Sequence, residues 1–277
     1  MSSILLTGAN GNVGNEVAKS LTAKGVSFLV TTHRQEAVSA EKVYFDFEQA
    51  TTFAPAFKGV EKLFLIRPPQ ISDAKKYFLP LIEAAKGQGI KHIVFLSVQG
   101  AESIKVVPHA KIEQYIKDSG IPYTFLRPSF FIQNLVNQHG DELRNENIIY
   151  VPAGNGKTSF IDVRDIGEVA ATCLTEDGHA NKAYTLTGSE ALTYYDVAKI
   201  FSEELGRVIT YTHPTLWAFR KHMLAKGLAP SYVTVTSVIY LTALLGLAKQ
   251  VTPELALLLG RPPRTVRDYA HDYRGQL

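Results

Sequence analysis

The chain has 277 residues, 45% of them hydrophobic and 20% charged, with a formal net charge of +3. This is the balance of a globular protein and excludes a disordered or fibrous one, and a charge so small, with no run of Lys and Arg, gives nucleic-acid binding no support. Cys173 is the single cysteine, which excludes an internal disulfide and a multi-cysteine zinc site and points to a reducing, cytoplasmic setting.

Met1-Ser2-Ser3 leads into the apolar run Ile4-Leu5-Leu6 without the basic start of a secretory signal, so none is expected. The run stops at glycine, Val13, Val17, Ala18 and Leu21 recur at helical spacing up to Gly25, and Phe28-Leu29-Val30 follows. Strand, tight turn, helix and strand make a βαβ unit, which requires a parallel sheet. Further strand-like runs occur at Val43-Tyr44-Phe45, Leu63-Phe64-Leu65-Ile66, 92–96 and 123–126. Their near-continuous apolar character implies helices on both sheet faces, a doubly wound α/β fold of Rossmann type. After about Arg127 helical patterns dominate, at 130–144, 165–176, 193–205 and much of 215–271. The expected organisation is a dinucleotide-binding domain over residues 1–130 and a smaller, mainly helical substrate lobe over 131–277, interleaved with the first and sharing one continuous core. The longest apolar-rich stretch, Tyr232 to Leu247, is interrupted by Thr234, Thr236, Ser237 and Thr242. It falls short of the ~20 apolar residues of a membrane span, so a buried helix and no membrane association are expected.

The turn Thr7-Gly8-Ala9-Asn10-Gly11-Asn12-Val13-Gly14 stands between a strand and a helix, the context that makes a glycine motif informative. Gly8 permits a sharp exit from the strand, Gly11 lets backbone approach a pyrophosphate, Gly14 lets the helix pack on the sheet, and the helix N-terminus offers free N–H groups to phosphate. The second strand ends in Thr31-Thr32-His33-Arg34-Gln35, with no acid before Glu36. An acid there would bond a ribose 2′-hydroxyl, whereas an arginine suits a 2′-phosphate, so NADP(H) is the expected cofactor; the alternative for Arg34 is a solvated loop position. Asp46 and Phe47 close the third strand, suited to bonding and covering an adenine, or to capping the next helix. Ile66, Arg67, Pro68 and Pro69 bring rigid backbone to the end of the fourth strand, where Arg67 is a cofactor contact or a surface charge. The eight histidines form no supported metal-ligand pair, and no metal is expected.

With TGANGNVG, the strand-end arginine, FKGVEKLFLI, KHIVFLSVQGAE, SGIPYTFLRPSFFIQNL and FIDVRDIGEVAA in this order, the chain resembles the NmrA-like atypical short-chain dehydrogenases over essentially its whole length. Among them it is most similar to bacterial quinone-reductase-like and dye-reductase-like members. The resemblance implies their fold, NADPH as cofactor and a cleft between two lobes. It also implies that Lys111 occupies the family's lysine position and Asn134 its asparagine position, while Val107 stands where a tyrosine would complete Tyr-x-x-x-Lys. The Tyr195 to Lys199 string has the right spacing but reads as an amphipathic helix capped by Thr193.

Hydride transfer to a conjugated acceptor needs positioning, exclusion of water and some proton source, so it tolerates the missing tyrosine. Lys111, His109 and Asn134 are the candidate catalytic groups, and Ser97 and Lys111 the further cofactor contacts. Phe130 and Phe131 are suited to stacking on a planar acceptor. The expected function is NADPH-dependent reduction of a quinone-like small molecule, by a monomer or homodimer. The alternative is a sensor that binds NADP(H) and acts through a protein partner without turnover.

Overall fold

The computed structural model describes residues 3–277. In chain order its elements begin with β1 (Ser3–Leu6), α1 (Asn12–Ala23), β2 (Phe28–Thr32), β3 (Lys42–Tyr44), α2 (Phe53–Phe57), β4 (Val60–Ile66), α3 (Ala74–Gly87), β5 (His92–Leu96), α4 (Pro108–Ser119) and β6 (Tyr123–Pro128). They continue with α5 (Asn134–Asp141), β7 (Ile148–Ile149), β8 (Lys157–Thr158), α6 (Val163–Thr175), β9 (Lys182–Leu186), β10 (Leu192–Thr193) and α7 (Tyr194–Leu205). Last come β11 (Thr210–Tyr211), α8 (Leu216–Ala225), α9 (Pro230–Leu244), α10 (Glu254–Leu259) and α11 (Val266–Asp272).

Two compact units result. The first runs to Pro128 and takes in Val163–Leu186; the second comprises Ser129–Asp162 and Thr187–Leu277. The sequence pattern assigned the helix at 165–176 to the second lobe, but α6 belongs to the first unit. The reason is visible at Gly167, where a Cβ would stand 2.7 Å from the Glu16 backbone carbon: only a bare backbone lets α6 lie this tightly on α1.

The first unit is an α/β fold of Rossmann type. Its seven strands are all parallel, in the order β3-β2-β1-β4-β5-β6-β9. Leu5 pairs with Leu29 on one side and Leu63 on the other, and all five side chains of β5 are buried, as two-sided coverage by helices demands. The order reverses direction between β1 and β4, and at such a switch point the loops leaving the strand C-termini diverge to leave a crevice.

Each unit has a cluster of buried side chains of its own. In the first, Phe45, Phe53, Phe57, Phe78, Phe95 and Phe125 belong to one cluster with the strand aliphatics. In the second, Tyr194, Phe201, Tyr211, Phe219 and Tyr240 pack with Ile132 and Val151. α7 begins at a Thr193–Asp196 capping box, which satisfies two free N–H groups at the helix start. A second correction concerns α9: the expected buried helix is covered on one side only, with Val235 and Val238 more than half exposed.

Candidate functional site

The glycine turn ends β1 and starts α1. Gly8 has φ +68°, a left-handed conformation natural to glycine, and its carbonyl accepts the Gly11 N–H at 2.9 Å. Gly11 is the N-cap residue of α1, which has no side-chain cap and no acid in its first turn. The donors of the first turn and the positive end of the helix therefore face outward unneutralised. The three glycines differ in cause. A Cβ on Gly14 would meet backbone, at 2.6 Å from the Gly8 carbonyl carbon and 2.9 Å from the Ala9 Cα, whereas one on Gly11 would meet only the Gly8 oxygen at 3.4 Å. Folding thus accounts for Gly8 and Gly14, and leaves the exposed Gly11 as an open cradle over the helix start.

Beside this turn lies a cavity of about 570 Å³, lined by Gly8, Ala9 and Asn10, then by Thr31 and His33 at the end of β2, by 45–48 after β3, and by Pro68, Gln70 and Ile71 after β4. Asp46 and Phe47 are both in the lining. The Asp46 carboxylate accepts the Glu48 N–H at 2.9 Å and the Gln49 amide at 2.7 Å, which folds the loop back and does not cap the following helix. Phe47 packs edge-on against Phe45, with centroids 4.9 Å apart, and against Phe78. An aromatic edge, a proline and an isoleucine beside a glycine turn suit a flat heteroaromatic group joined to phosphate.

Several other predicted contacts have different occupations. The Thr7 hydroxyl donates to the Phe64 carbonyl at 3.1 Å and accepts the Ile66 N–H at 2.8 Å, so it ties β1 to β4. Asn12 is exposed at the start of α1, while Val13 points into the core. Ile66 ends β4, and its Cδ1 would lie 3.3 Å from a Cβ on Gly8, backing the turn. Arg34 is exposed just beyond His33. Ser97 is buried and donates to Glu113 Oε1 at 2.6 Å. Glu113 also receives Arg127 through Nε at 2.9 Å and Nη2 at 2.6 Å, and this buried fork engages the Ser97 hydroxyl.

Arg67 is no surface charge. Its Nη1 donates to the carbonyls of Pro68, Pro69 and Ile71 at 3.0, 3.2 and 2.6 Å, which curls the loop that lines the cavity. Its Nε donates to His109 Nε2 at 3.3 Å, so that ring carries its proton on Nδ1. Burial, and then the neighbouring Arg67 charge, push His109 down to about 3; burial also lowers Arg67. His109 therefore stands neutral at physiological pH and does not cap α4, whose N-cap is Val107. Lys111, two residues on, is exposed on the same helix. Asn134 opens α5 in the second unit, where the preceding Gln133 is buried and donates to Asp162 at 2.9 Å. The string Tyr195 to Lys199 lies in α7, also in the second unit.

Sequence reasoning missed Thr31, His33, Glu48, Gln70 and Ile71 as lining residues. All stand at or just beyond the C-terminal ends of β2, β3 and β4, so the strand order was the signal that located them. Among the described residues no cluster of metal-binding side chains occurs.

Residues 1–243 match the NmrA-like family. The chain belongs to that family. An NAD(P)H azoreductase of Xenophilus azovorans is 31% identical to this NmrA-like chain over 277 residues, covering 96% of each. Among solved structures, a triphenylmethane reductase of Citrobacter sp. complexed with NADP(H) superposes with a TM-score of 0.86 at 27% identity, covering 98% of this chain and 99% of that one. An NADPH-dependent quinone oxidoreductase from Escherichia coli, complexed with NADPH, gives 0.87 at 26% identity, with 97% and 99% covered.

Proposed function

We propose that this chain is an NAD(P)H-dependent oxidoreductase, using NADPH in the cytoplasm to reduce a small conjugated acceptor of the quinone or azo class. The observation that carries the reading is the Gly11 cradle: a glycine that folding does not require, over an uncapped helix start and beside a cavity with an aromatic wall. A phosphate against that backbone explains it. The names of the similar proteins, an azoreductase, a triphenylmethane reductase and a quinone oxidoreductase, support the same chemistry.

When bound, the reduced nicotinamide supplies a hydride, and the chain supplies placement and dryness. In this reading the 8–14 turn takes the pyrophosphate, Phe47, Pro68 and Ile71 flank the adenine, and Arg34 pairs with the 2′-phosphate. Lys111 orients the nicotinamide end. His109, being neutral, offers an Nδ1–H hydrogen bond and not a cationic acid, so the product takes its proton from Lys111 or from water.

A second reading has support in Val107, which stands where the tyrosine of a Tyr-x-x-x-Lys pair would be: a sensor that binds NADP(H) without turnover. Loss of absorbance at 340 nm with a panel of quinones and azo dyes tests the first. Tight NADPH binding with no oxidation across the panel favours the sensor, and absence of NADPH binding removes both.

A further inference from the structure

From Leu205 to Pro253 the chain holds no aspartate or glutamate, while Arg207, Arg220, Lys221, Lys226 and Lys249 supply five cations. Two helices of the second unit, α8 and α9, lie in this stretch. α9 has no charged residue in its fifteen positions. Its inner side is Val233, Thr236, Ser237, Tyr240 and Ala243, where the Thr236 and Ser237 hydroxyls turn back onto the Val233 carbonyl. Its outer side is as apolar as the inner: Val235 and Val238 are 58% and 55% exposed, and Tyr232, Ile239, Leu244 and Leu245 are exposed with them. A helix apolar all round belongs inside a protein or against another apolar phase, and this one is covered on one side. α8 adds Trp217, 72% exposed, and Leu224. The Lys221 ammonium stands 5.4 Å from the Trp217 ring centroid, and Arg220 Nη1 donates to Thr234 Oγ1 at 3.4 Å, which joins the outer edges of the two helices.

We propose that the outer face of α8 and α9 binds the surface of an anionic phospholipid bilayer, lying in the headgroup plane. Apolar side chains reach the acyl boundary, Trp217 and Tyr232 sit at headgroup level, and cations meet lipid phosphate with no carboxylate in the stretch to oppose them. Arg207 is engaged by the carbonyls of Leu143 and Leu277 and Lys226 by Glu142 and Asp141. Lys221 and Lys249 are exposed and remain for the headgroups. α9 is too short to span, and among the described residues no helix is long and apolar enough to cross a membrane. The competing occupant is a second copy of this chain, but a symmetric pairing would set these cations against each other. The proposal stands independently of the reductase reading.

Trp217 is the chain's single tryptophan and reports directly. The full chain is mixed with vesicles of phosphatidylcholine alone or with phosphatidylglycerol. The expected result is a blue shift of Trp217 emission and co-sedimentation with the anionic vesicles only, weakening as salt is raised. Lys221→Ala and Lys249→Ala should each lower partitioning about fivefold. Val235→Asp with Val238→Asp, at solvent-facing positions, should lower it at least tenfold with circular dichroism unchanged. No shift at saturating anionic lipid, equal binding to neutral vesicles, or a dimer that the double variant dissociates and that binds no vesicle, would each overturn it.

Discussion

Gly14 lies so close to Gly8 that a methyl group on it would stand 2.6 Å from the Gly8 carbonyl carbon. No side-chain adjustment relieves a clash with backbone. Gly14→Ala is expected to destabilise the protein by about 3 kcal/mol, read as a lowered denaturation midpoint. Gly11→Ala should cost less than about 1 kcal/mol yet raise the NADPH dissociation constant at least tenfold, about 1.4 kcal/mol. Equal stability losses for the two would contradict the distinction between a folding glycine and a binding one.

Arg34 is exposed one residue beyond the cavity-lining His33. If it reads a 2′-phosphate, Arg34→Ala weakens NADPH by about ten- to a hundredfold, the range of one charge-assisted contact, and leaves NADH unchanged. Calorimetric titration of both cofactors against both proteins decides the matter; an equal loss for NADH would assign Arg34 to the loop's own structure.

Ser97 donates to Glu113, which also holds Arg127 through two hydrogen bonds. Glu113→Ala removes two hydrogen bonds from the buried Arg127, which keeps Glu102 at 3.2 Å, and should cost about 3 kcal/mol. Ser97→Ala removes one hydrogen bond and should cost about 1 kcal/mol while leaving NADPH affinity within twofold. A large loss of affinity without loss of stability would return Ser97 to the cofactor.

Three histidines set an acid limit. Burial chiefly holds His92 and His139 at about 4 and His109 at about 3, all below an unfolded value of about 6.5. Between those values the unfolded chain binds more protons than the folded one, so stability is fully present above pH 6.5 and falls as pH drops. From pH 7 to 5 the three together remove up to about 5 kcal/mol. Urea titrations at pH 7, 6 and 5 measure this slope, and His92→Gln should make it shallower by about a third.

Much of the site was legible because it is local. Gly8 and Asn10 of the turn, with Asp46 and Phe47, are each defined within a few residues of a strand end, and these four line one cavity. Arg67 shows the limit: its neighbours in sequence fit a cofactor contact, but its guanidinium is engaged by three carbonyls and a histidine forty-two positions away. Thr7 and Ser97 show the same limit, since their hydroxyl partners sit on β4 and α4.

The sequence by itself determined the strand-turn-helix start, the parallel sheet and the family, because hydrophobic period and turn chemistry are local properties of the chain. The tertiary structure alone decided which strand ends meet at the switch point, that α6 and β9 return to the first unit, that His109 is neutral, and that α9 keeps an apolar face exposed. Those facts depend on desolvation and on contacts between residues distant in sequence, and no periodicity along the chain encodes either.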